Sequence, residues 1–518
     1  MPTAADLPTL IQRLLEPTRY PHPVAQVTRE ETHGAWVLLA GDWVYKIKKP
    51  VSYSFMDFGT LAKRRAACEA ELRVNTRFAT DDPATSIYVD VLPIVGSADD
   101  PRLAQADGDD RPAIEYAVRM HRFDSTQRLD RVCARSALTR AHITQLAQDL
   151  VAFQQRAAVA NEHDERSLPE VGLGFARENI DSLLDAPLPA QAHTRVRRLQ
   201  WLSESKNRHL LPLLQARRAQ GRVREGHGDL HLGNLVLIHD RVLPFDAIEF
   251  NASLRWVDVA SDMAFLWMDL IAQGESGLAN WLLSEWLDAS GDADAADVWT
   301  HFATYRALVR AKVAGLRAAS STNPEVDWAE CVRYIDLAEQ IARPAPARLI
   351  ITHGLSGSGK SRVARQHLLN NATEPTIRLR SDVERKRLFG LQAHERSGSG
   401  LNSGLYAPDA HVRTYEHLLT RAQHLLEQGW SVVVDAAFLK RAERDAFAAL
   451  AQRLGCPFHI LAREAPIEIL QARITRRLAK GQDASEATIQ VLAQQLQVVE
   501  ALGEDERTHL LNDPQATD

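Results

Sequence analysis

The sequence predicts an α+β domain with two lobes, followed by an α/β domain whose sheet is mainly parallel. Residues 1–122 alternate between strand and helix patterns, and residues 123–342 have mainly helical spacing. Prolines punctuate residues 343–347, which we interpret as a linker because proline disfavours a continuing helix. Residues 348–518 then alternate apolar strands with helices, a pattern typical of a parallel sheet with crossover helices.

Length and composition limit the class of protein. A chain of 518 residues exceeds one hydrophobic core and predicts roughly three compact units. A hydrophobic content of 45%, a charged content of 25% and a net charge of -6 exclude a disordered chain and a strongly basic nucleic-acid binder. The four cysteines show no C-x-x-C spacing, and we find neither a signal-peptide pattern nor a long apolar run. We therefore expect a cytoplasmic protein that does not associate with membranes.

Local patterns predict the elements of the first lobe. Leucines and an isoleucine at helical spacing predict a short helix over 7–15. Two apolar strands flank Ala40-Gly41-Asp42, a sequence that favours a hairpin turn. An acidic loop around 106–110 separates the last two strands of the lobe. We expect strands at 35–39, 43–47, 87–95 and 113–120, and a charged helix at 60–78.

The second lobe carries the segment His227-Gly228-Asp229-Leu230-His231-Leu232-Gly233-Asn234. A kinase needs a carboxylate that orients the acceptor hydroxyl and metal ligands beside the phosphates. Asp229 and Asn234 are five residues apart, which is the interval between the aspartate and the asparagine of the protein-kinase catalytic loop. Asp246 follows twelve residues later, after an apolar strand, where a second metal ligand is expected.

This constellation resembles that of the aminoglycoside phosphotransferase and choline kinase group, whose signature is H-G-D-x-H-x-x-N followed by a strand with an aspartate. The resemblance implies a protein-kinase-like fold with Asp229 as catalytic base. It also implies that Asn234 and Asp246 are Mg²⁺ ligands and that His231 contacts the γ-phosphate. His227 is expected to brace the loop.

A strand lysine paired with a helix glutamate should contact the nucleotide phosphates in the first lobe. Lys46 is the preferred lysine, because its position best fits the apolar residues of its strand. Lys48 remains possible, because side chains alternate between the two faces of a strand and Lys48 therefore lies on the same face as Lys46. Glu71 is the favoured partner, and Glu69 remains an alternative. The loop over the nucleotide, at about 30–36, contains a single glycine, so this chain departs from the G-x-G-x-x-G pattern of protein kinases.

The third part of the chain carries a P-loop, G-x-x-x-x-G-K-[ST], between an apolar strand and a helix pattern. Glycines let backbone N–H groups surround phosphate oxygens, the lysine reaches the β- and γ-phosphates, and the serine hydroxyl ligates Mg²⁺. The predicted P-loop NTPase domain binds nucleotide through Gly354, Leu355, Ser356, Gly357, Ser358, Gly359, Lys360 and Ser361.

Other residues indicate what kind of P-loop domain this is. Asp435 ends a Walker B-like strand and is a candidate metal ligand, yet Ala436 follows it, so the Asp-Glu pair of many ATP-hydrolysing machines is missing. The segment around Asp382 resembles the polynucleotide kinase, gluconate kinase and zeta-toxin groups. This resemblance implies Asp382 as general base and Arg385 as a substrate ligand. The structural alternative is that Ser381 or Asp382 is a helix N-cap.

Two arginine-rich segments have open roles. Arg473, Arg476 or Arg477 could reach the nucleotide from a helical lid and stabilise transition-state charge, with Arg473 and Arg477 as our candidates, or the three could form a solvated cationic face. A second cluster could form a basic surface for an RNA or DNA acceptor. It consists of Arg378, Arg380, Arg385, Lys386 and Arg387.

The sequence thus predicts a tandem kinase whose two sites use ATP (or GTP) and Mg²⁺ to phosphorylate hydroxyl groups. The acceptor is either a small molecule or an RNA or DNA end. Two other hypotheses remain: the kinase-like domain could be a regulatory nucleotide sensor, or the whole chain could be a non-catalytic binding module that depends on nucleotide.

Overall fold

A computed structural model gives the structure of the chain. It describes residues 6–53, 56–79, 85–104, 111–319, 321–343, 346–371, 374–393, 395, 407–480 and 485–511. The acidic loop at 106–110 lies outside the described residues. The chain forms two compact units, one of residues Met1–Asp185 and Ser203–Asp269, the other of Ala186–Leu202 and Leu270–Asp518.

The first unit begins with a six-stranded sheet in which every neighbouring pair is antiparallel. The predicted hairpin is confirmed, because Ala40 pairs with Trp43 across Gly41, whose φ is 64°. In spatial order the strands are β1 (Val27–Glu31), β2 (Ala35–Ala40), β3 (Trp43–Lys48), β8 (Ala113–His121), β6 (Tyr88–Gly96) and β7 (Pro101–Leu103). A separate short hairpin pairs β4 (Ser52–Tyr53) with β5 (Met56–Asp57).

Two helices cover opposite faces of this sheet. Helix α1 (Leu7–Arg13) buries its apolar side chains against Leu38, Ile47 and Ile94. Helix α2 (Leu61–Thr76) packs Cys68 against Val44 on the other face. Because side chains alternate across a strand, Lys46 and Lys48 point to the same face as Val44, where α2 lies.

The rest of the first unit is mainly helical and contains two short pairs of antiparallel strands. Strand β9 precedes the H-G-D segment and pairs with β12, and β10 pairs with β11 immediately after it. These strands are β9 (Val223–Glu225), β10 (Leu235–Ile238), β11 (Arg241–Pro244) and β12 (Trp256–Asp258). Three helices lie entirely in this part: α3 (Leu129–Ala134), α4 (Arg140–Arg156) and α5 (Pro169–Leu184). Two further helices, α6 (Ala190–Ala219) and α7 (Val259–Ala272), belong to it only over residues 203–219 and 259–269.

The second unit contains a four-stranded parallel sheet, as the sequence predicts. Its strands, in spatial order, are β14 (Thr376–Arg380), β15 (Ser431–Asp435), β13 (Leu349–His353) and β16 (Phe458–Ala462). The helices of this α/β part are α11 (Lys360–Asn370), α12 (Ser381–Leu388), α13 (Pro408–Glu427), α14 (Arg441–Leu454), α15 (Ile467–Lys480), α16 (Ile489–Val498) and α17 (Glu504–Arg507). All four predicted strands are therefore present, and the α/β fold class is confirmed.

The boundaries between the two compact units do not coincide with the predicted linker. Three helices that precede the linker, α8 (Ser276–Ser290), α9 (Ala295–Ala318) and α10 (Pro324–Ala342), belong to the second unit with the parallel sheet. Trp430, at the start of β15, donates its indole N–H to the carbonyl of Ala296 at 3.3 Å. His424 of α13 contacts Asp297 of α9 at 2.6 Å. A domain boundary at 343–347 stays a prediction, and these contacts show that packing in the second unit extends past it.

Helix α8 also completes the edge of the parallel sheet. Strand β14 is an edge strand, so its outward N–H groups need partners. Asn280 Oδ1 accepts from the amide of Thr376 at 3.0 Å. Ser284 Oγ accepts from the amide of Arg378 at 3.2 Å. The edge is thus covered by side chains of a helix that precedes the predicted linker.

In the part of the chain that the structure describes, no helix is both long and apolar enough to cross a bilayer.

We expect Gly277→Ala to lower the free energy of unfolding by about 1–3 kcal/mol, the usual cost of overpacking. The reason is that an added Cβ on this residue of α8 would overlap the carbonyl oxygen of Leu369, at the end of α11. Urea unfolding of the full chain measures the effect. Gly174→Ala is the matched control, because Gly174 lies inside α5 and an added Cβ there meets no atom within 4 Å. Equal stability of the two variants would contradict the close approach of α8 to α11.

Candidate active sites

The first candidate site is built around Lys46 on β3. Its Nζ lies 2.7 Å from Oε1 of Glu71 on α2 and 2.5 Å from Oδ1 of Asp246, in the loop after β11. Asp246 has a φ of 61°, an uncommon conformation for a residue other than glycine. Its amide donates to the hydroxyl of the buried Tyr88 at 3.1 Å. Three predicted residues from distant segments therefore meet here.

Lys48 occupies the neighbouring position and is more deeply buried. Its Nζ lies 2.5 Å from the other carboxylate oxygen of Glu71, Oε2, and it also forms an ion pair with Glu249. Lys48 is 2% exposed. Glu69, the alternative partner, instead pairs with Arg65 on the exposed side of α2. Glu71 thus holds both lysines, and only Lys46 reaches Asp246.

The buried charges shift one another's titration. Burial raises the pKa of Glu71, but the two lysines outweigh burial and keep the pKa below its ordinary value. Burial likewise opposes ionisation of Asp246, and Lys46 holds the pKa of that carboxyl low. Glu249 differs, because burial is strong enough to raise its pKa despite the contact with Lys48. Glu71 and Asp246 are therefore ionised at neutral pH and compensate Lys46.

Asp229 and Asn234 come together on the loop between β9 and β10. The Asn234 amide nitrogen donates to Asp229 Oδ2 at 2.9 Å and to the Asp229 carbonyl at 3.0 Å. His231 Nε2 lies 3.4 Å from Asp229 Oδ2, and its Nδ1 accepts from the amide of Gly233 at 3.0 Å. The Asp229 side chain is 36% exposed, so an acceptor can reach it.

Buried groups hold this loop in place. The carboxylate of Asp262, on α7, accepts from the amides of His227 at 2.7 Å and Gly228 at 3.0 Å. Asp269 accepts from the amide of Leu232 at 2.9 Å. His227 contacts the carbonyl of Phe245 at 3.0 Å through Nε2, and burial lowers the pKa of its imidazole. The neutral histidine therefore ties the loop to the end of β11, in the position of the brace that the resemblance implies.

The second candidate site is the P-loop, which leads from β13 into α11. Gly357 and Gly359 have φ angles of 84° and 99°, in the region that residues with a Cβ rarely adopt. At Gly357 an added Cβ would also press on the carbonyl oxygen of Leu470 at 2.8 Å. The loop therefore requires glycine at both positions, as the motif predicts.

Ser361 and Asp435 meet at the end of the parallel strands. Ser361 Oγ donates to Asp435 Oδ1 at 2.9 Å, while Arg378 Nη2 lies 2.5 Å from the other oxygen, Oδ2. Both members of the Arg378–Asp435 pair are buried. Burial raises the pKa of Asp435, but Arg378 and then Lys360 outweigh it and keep the pKa below its ordinary value. Arg378 thus fixes which carboxylate oxygen faces the P-loop serine.

A cavity of about 500 Å³ lies beside the P-loop. Its walls include Ser356, Lys360, Asp382 and Arg385, so the structure brings the P-loop lysine and the candidate base to one cavity. Arg385 Nη1 lies 3.8 Å from Asp382 Oδ1. The N-cap alternative is wrong, because Arg380 precedes the first residue of α12 and no side chain caps that helix.

The arginines of α15 divide into different environments. Arg473 Nη1 donates to the carbonyls of Gly357 and Ser358, each at 3.3 Å, and so contacts the P-loop. Arg477 instead donates to the carbonyl of Ala487 at 3.0 Å, which ties α15 to the segment before α16. Arg476 is exposed. Of the predicted lid arginines, Arg473 is therefore the one that we find in contact with the P-loop.

The predicted basic surface around α12 is wrong. Arg378 and Lys386 are 4% and 3% exposed, since Arg378 pairs with Asp435 and Lys386 with Glu486. Arg387 donates to two carbonyls at the end of α8. Sequence spacing could not reveal this outcome, because these side chains are paired by partners from distant segments.

Comparisons with known proteins match either the P-loop region alone or most of the chain. Residues 349–502 match the family described as AAA domain. The uncharacterised protein Rv2004c of Mycobacterium tuberculosis is 30% identical over 483 residues, which cover 91% of each chain. The uncharacterised protein Mb2027c of Mycobacterium bovis matches with the same identity and coverage. The chain belongs to the family of these mycobacterial proteins.

Likenesses to solved structures are weaker. A choline/ethanolamine kinase family protein from Mesorhizobium loti is 12% identical, and the match covers 65% of this chain and all of that chain, with a TM-score of 0.35. An aminoglycoside phosphotransferase from Alicyclobacillus acidocaldarius is 13% identical, with 63% and 92% coverage and a TM-score of 0.37. A chain of the Pnkp1/Rnl/Hen1 RNA repair complex is 21% identical, with 29% and 44% coverage and a TM-score of 0.23.

The match over residues 349–502 confirms the recognition of a P-loop domain in this part of the chain. The donors at both sites suit Mg²⁺, which prefers oxygen ligands and keeps waters and phosphates in its shell. Asn234 donates its amide nitrogen to Asp229, which leaves the amide oxygen for a cation. Ser361 and Asp435 offer a hydroxyl and a carboxylate at 2.9 Å. Among the described residues, no three His, Cys, Asp or Glu side chains form a metal cluster by themselves.

Sequence reasoning missed several residues that hold these sites. Glu249 lies three residues after Asp246 and pairs with Lys48. Glu225 lies two residues before His227 and pairs with Arg73, Arg77 and Arg255; burial opposes its ionisation, but these arginines lower its pKa to about 2. Glu225 ends the short strand β9, which was not predicted from the sequence, so no pattern indicated it. Asp269 was the available signal, because it is a carboxylate on an otherwise apolar helix.

We expect Lys48→Met to destabilise the protein more than Lys46→Met. Removing Lys48 leaves Glu249 and one oxygen of Glu71 buried without a counter-charge, which costs about 3–5 kcal/mol. Lys46→Met costs less, because Asp246 is 43% exposed and water can solvate it. Free energies of unfolding from denaturant titration distinguish the two variants. Equal losses would show that the two lysines have equivalent structural roles.

Proposed function

We propose that the chain is a tandem phosphotransferase in which two separate sites transfer the γ-phosphate of ATP (or GTP) to hydroxyl groups. The observation that carries the proposal is the assembly of each site from distant segments. In the first, Lys46, Glu71 and Asp246 meet near the loop that bears Asp229 and Asn234 within one unit. In the second, Lys360 and Asp382 line one cavity next to the serine that contacts Asp435.

At the first site, Asp229 accepts the proton of the acceptor hydroxyl while the oxygen bonds to the γ-phosphorus and ADP departs. Lys46 binds donor phosphates and is held by Glu71. Asn234 and Asp246 hold Mg²⁺, which neutralises phosphate charge when it is bound. His231, 3.4 Å from Asp229, is placed to donate to the transferred phosphate.

At the second site, backbone N–H groups of the P-loop and Lys360 bind the donor phosphates, and Ser361 and Asp435 hold the cation. Asp382 accepts the acceptor's proton, and Arg385 binds the acceptor or the transferred phosphate. Arg473 contributes positive charge, since it already contacts the P-loop carbonyls.

A labelled-ATP transfer assay on single variants tests whether both sites are active. We expect Asp229→Ala and Asp382→Ala each to remove a different product, with losses of 10²–10⁴-fold as for other general bases. Asp181→Ala and Asp445→Ala are matched controls, because both aspartates are exposed on helices and neither is among the residues of the two candidate sites. If Asp229→Ala changes no product but alters the rate at the other site, the kinase-like domain is a nucleotide sensor. If no acceptor is labelled by the wild type, the chain is a binding module.

A second prediction concerns the cation at the P-loop. Mg²⁺ should raise the affinity of the P-loop site for ADP, and we expect Arg378→Met to make this increase at least tenfold smaller. The reason is that Asp435 loses the partner that orients it toward Ser361. Affinity for ADP in EDTA should change less than twofold. Calorimetric titrations in Lys46→Ala protein isolate the P-loop site, and Arg453→Met is the control, because Arg453 is exposed on α14. An unchanged Mg²⁺ gain in Arg378→Met would contradict the positioning role.

A further inference from the structure

We infer that the P-loop site phosphorylates a small, neutral, polyhydroxylated molecule rather than a nucleic-acid end, and that Glu443 and His411 bind its hydroxyl groups. The inference rests on the proposed function of that site. It adds the substrate class, which is carried by the cavity that Asp382 and Lys360 share.

The size of the cavity favours a small acceptor. A volume of about 500 Å³ is within the range of small-molecule pockets, ~300–1,000 Å³. A nucleic acid bound specifically usually covers roughly 1,000 Å² or more of protein surface. A sugar or cyclitol would fit within this volume beside the γ-phosphate.

The charges of the cavity wall nearly cancel. Among the described residues that line the cavity, Lys360 is left out of the charge balance, because the proposed function assigns it to the donor phosphates. The remaining charged groups are two cations, Arg385 and Lys440, and two carboxylates, Asp382 and Glu443. The acceptor part is therefore formally neutral when His411 is neutral. Such a wall compensates neither an anionic nor a cationic acceptor.

Neutral hydrogen-bonding groups make up much of the remaining polar wall. Hydroxyls and amides both donate and accept, which suits the alternating needs of sugar hydroxyls. These side chains are Ser381, Ser485, Gln494, Gln495 and Gln497.

Glu443 and His411 form a preorganised pair on this wall. His411 Nε2 lies 2.7 Å from Glu443 Oε1, and the imidazole packs on Tyr415 with ring centroids 4.6 Å apart. The Glu443 side chain is 12% exposed, and it also accepts from the amide of Lys440 at 3.4 Å. A carboxylate held by two donors still has lone pairs for a substrate hydroxyl. Its fixed position makes it a specificity determinant.

Three of the five cations of the α12 cluster are paired within the protein. A nucleic acid is held by several Lys or Arg contacts to phosphates. In the α12 cluster, however, Arg378 pairs with Asp435, Lys386 with Glu486, and Arg387 with Glu384. Within the described residues, these three cations are committed to internal partners and do not extend the positive charge of Arg385.

The test uses the full chain with Asp229→Ala, so that labelled phosphate from ATP moves only through the P-loop site. Glucose, myo-inositol and xylitol serve as neutral acceptors, gluconate as an anionic one, and RNA and DNA hexamers with 5′-hydroxyls as nucleic-acid ends. The same assay is run on Glu443→Gln and on the control Glu416→Gln, whose exposed carboxylate lies on α13 like His411. ATP binding is measured separately with and without Lys360→Ala.

We expect label on at least one neutral polyol and on neither hexamer. Glu443→Gln should raise the KM of that polyol at least tenfold, with the KM of ATP within twofold of the parent, and Glu416→Gln should change neither constant. Label on gluconate or a hexamer with none on the polyols would overturn the neutral acceptor but leave the proposed kinase function standing. Equal effects of the two glutamate variants would overturn the role of Glu443. If no acceptor is labelled and ATP binding does not depend on Lys360, the proposed function itself fails.

Discussion

A carboxylate that is buried away from water needs a counter-charge or hydrogen-bond donors. Each candidate site is organised around one such carboxylate. Glu71 is fully buried and divides its two oxygens between Lys46 and Lys48. Asp435 is 5% exposed and divides its oxygens between Ser361 and Arg378. In each case one oxygen meets a deeply buried cation, and the other contacts a residue that we propose to bind the donor phosphates or their cation. The cost of leaving either oxygen without a partner is what keeps Lys46 and Ser361 oriented.

Much of the fold was predictable, because apolar strands and helices carry strong periodic signals. The strands that follow such patterns, β2, β3, β6 and β8 and all four parallel strands, lie where expected. Strand β1 was missed. Its sequence is Val-Thr-Arg-Glu-Glu, with one buried residue followed by four exposed ones, so it has no alternation to detect. It is held by pairing with β2, a tertiary effect that local sequence does not encode.

The choice between Lys46 and Lys48 shows where pattern reasoning stops at a site. Both residues point to the same face of β3 by period two, and both contact Glu71. They differ in the second carboxylate that each meets, Asp246 for one and Glu249 for the other, and these lie three residues apart in a loop. Only the positive φ of Asp246 and the path of that loop separate the two environments. The residue pattern of one β-strand does not contain that information.

The prediction of a basic surface around α12 was wrong for a related reason. A cluster of charged residues in a sequence indicates a basic surface only if their side chains face water. The side chain of Arg378 instead points into the interior, where Asp435 lies on the neighbouring strand. The backbone of the P-loop, in contrast, was predictable, because the motif places glycines at fixed local spacing and the structure has positive φ angles at Gly354, Gly357 and Gly359. The wall opposite Asp382 is assembled from α13, α14 and α16, which are separate in sequence. Donor chemistry is therefore local in the chain, whereas acceptor recognition depends on packing. A family member can keep its P-loop motif while its acceptor changes, and the acceptor must be inferred from the cavity wall.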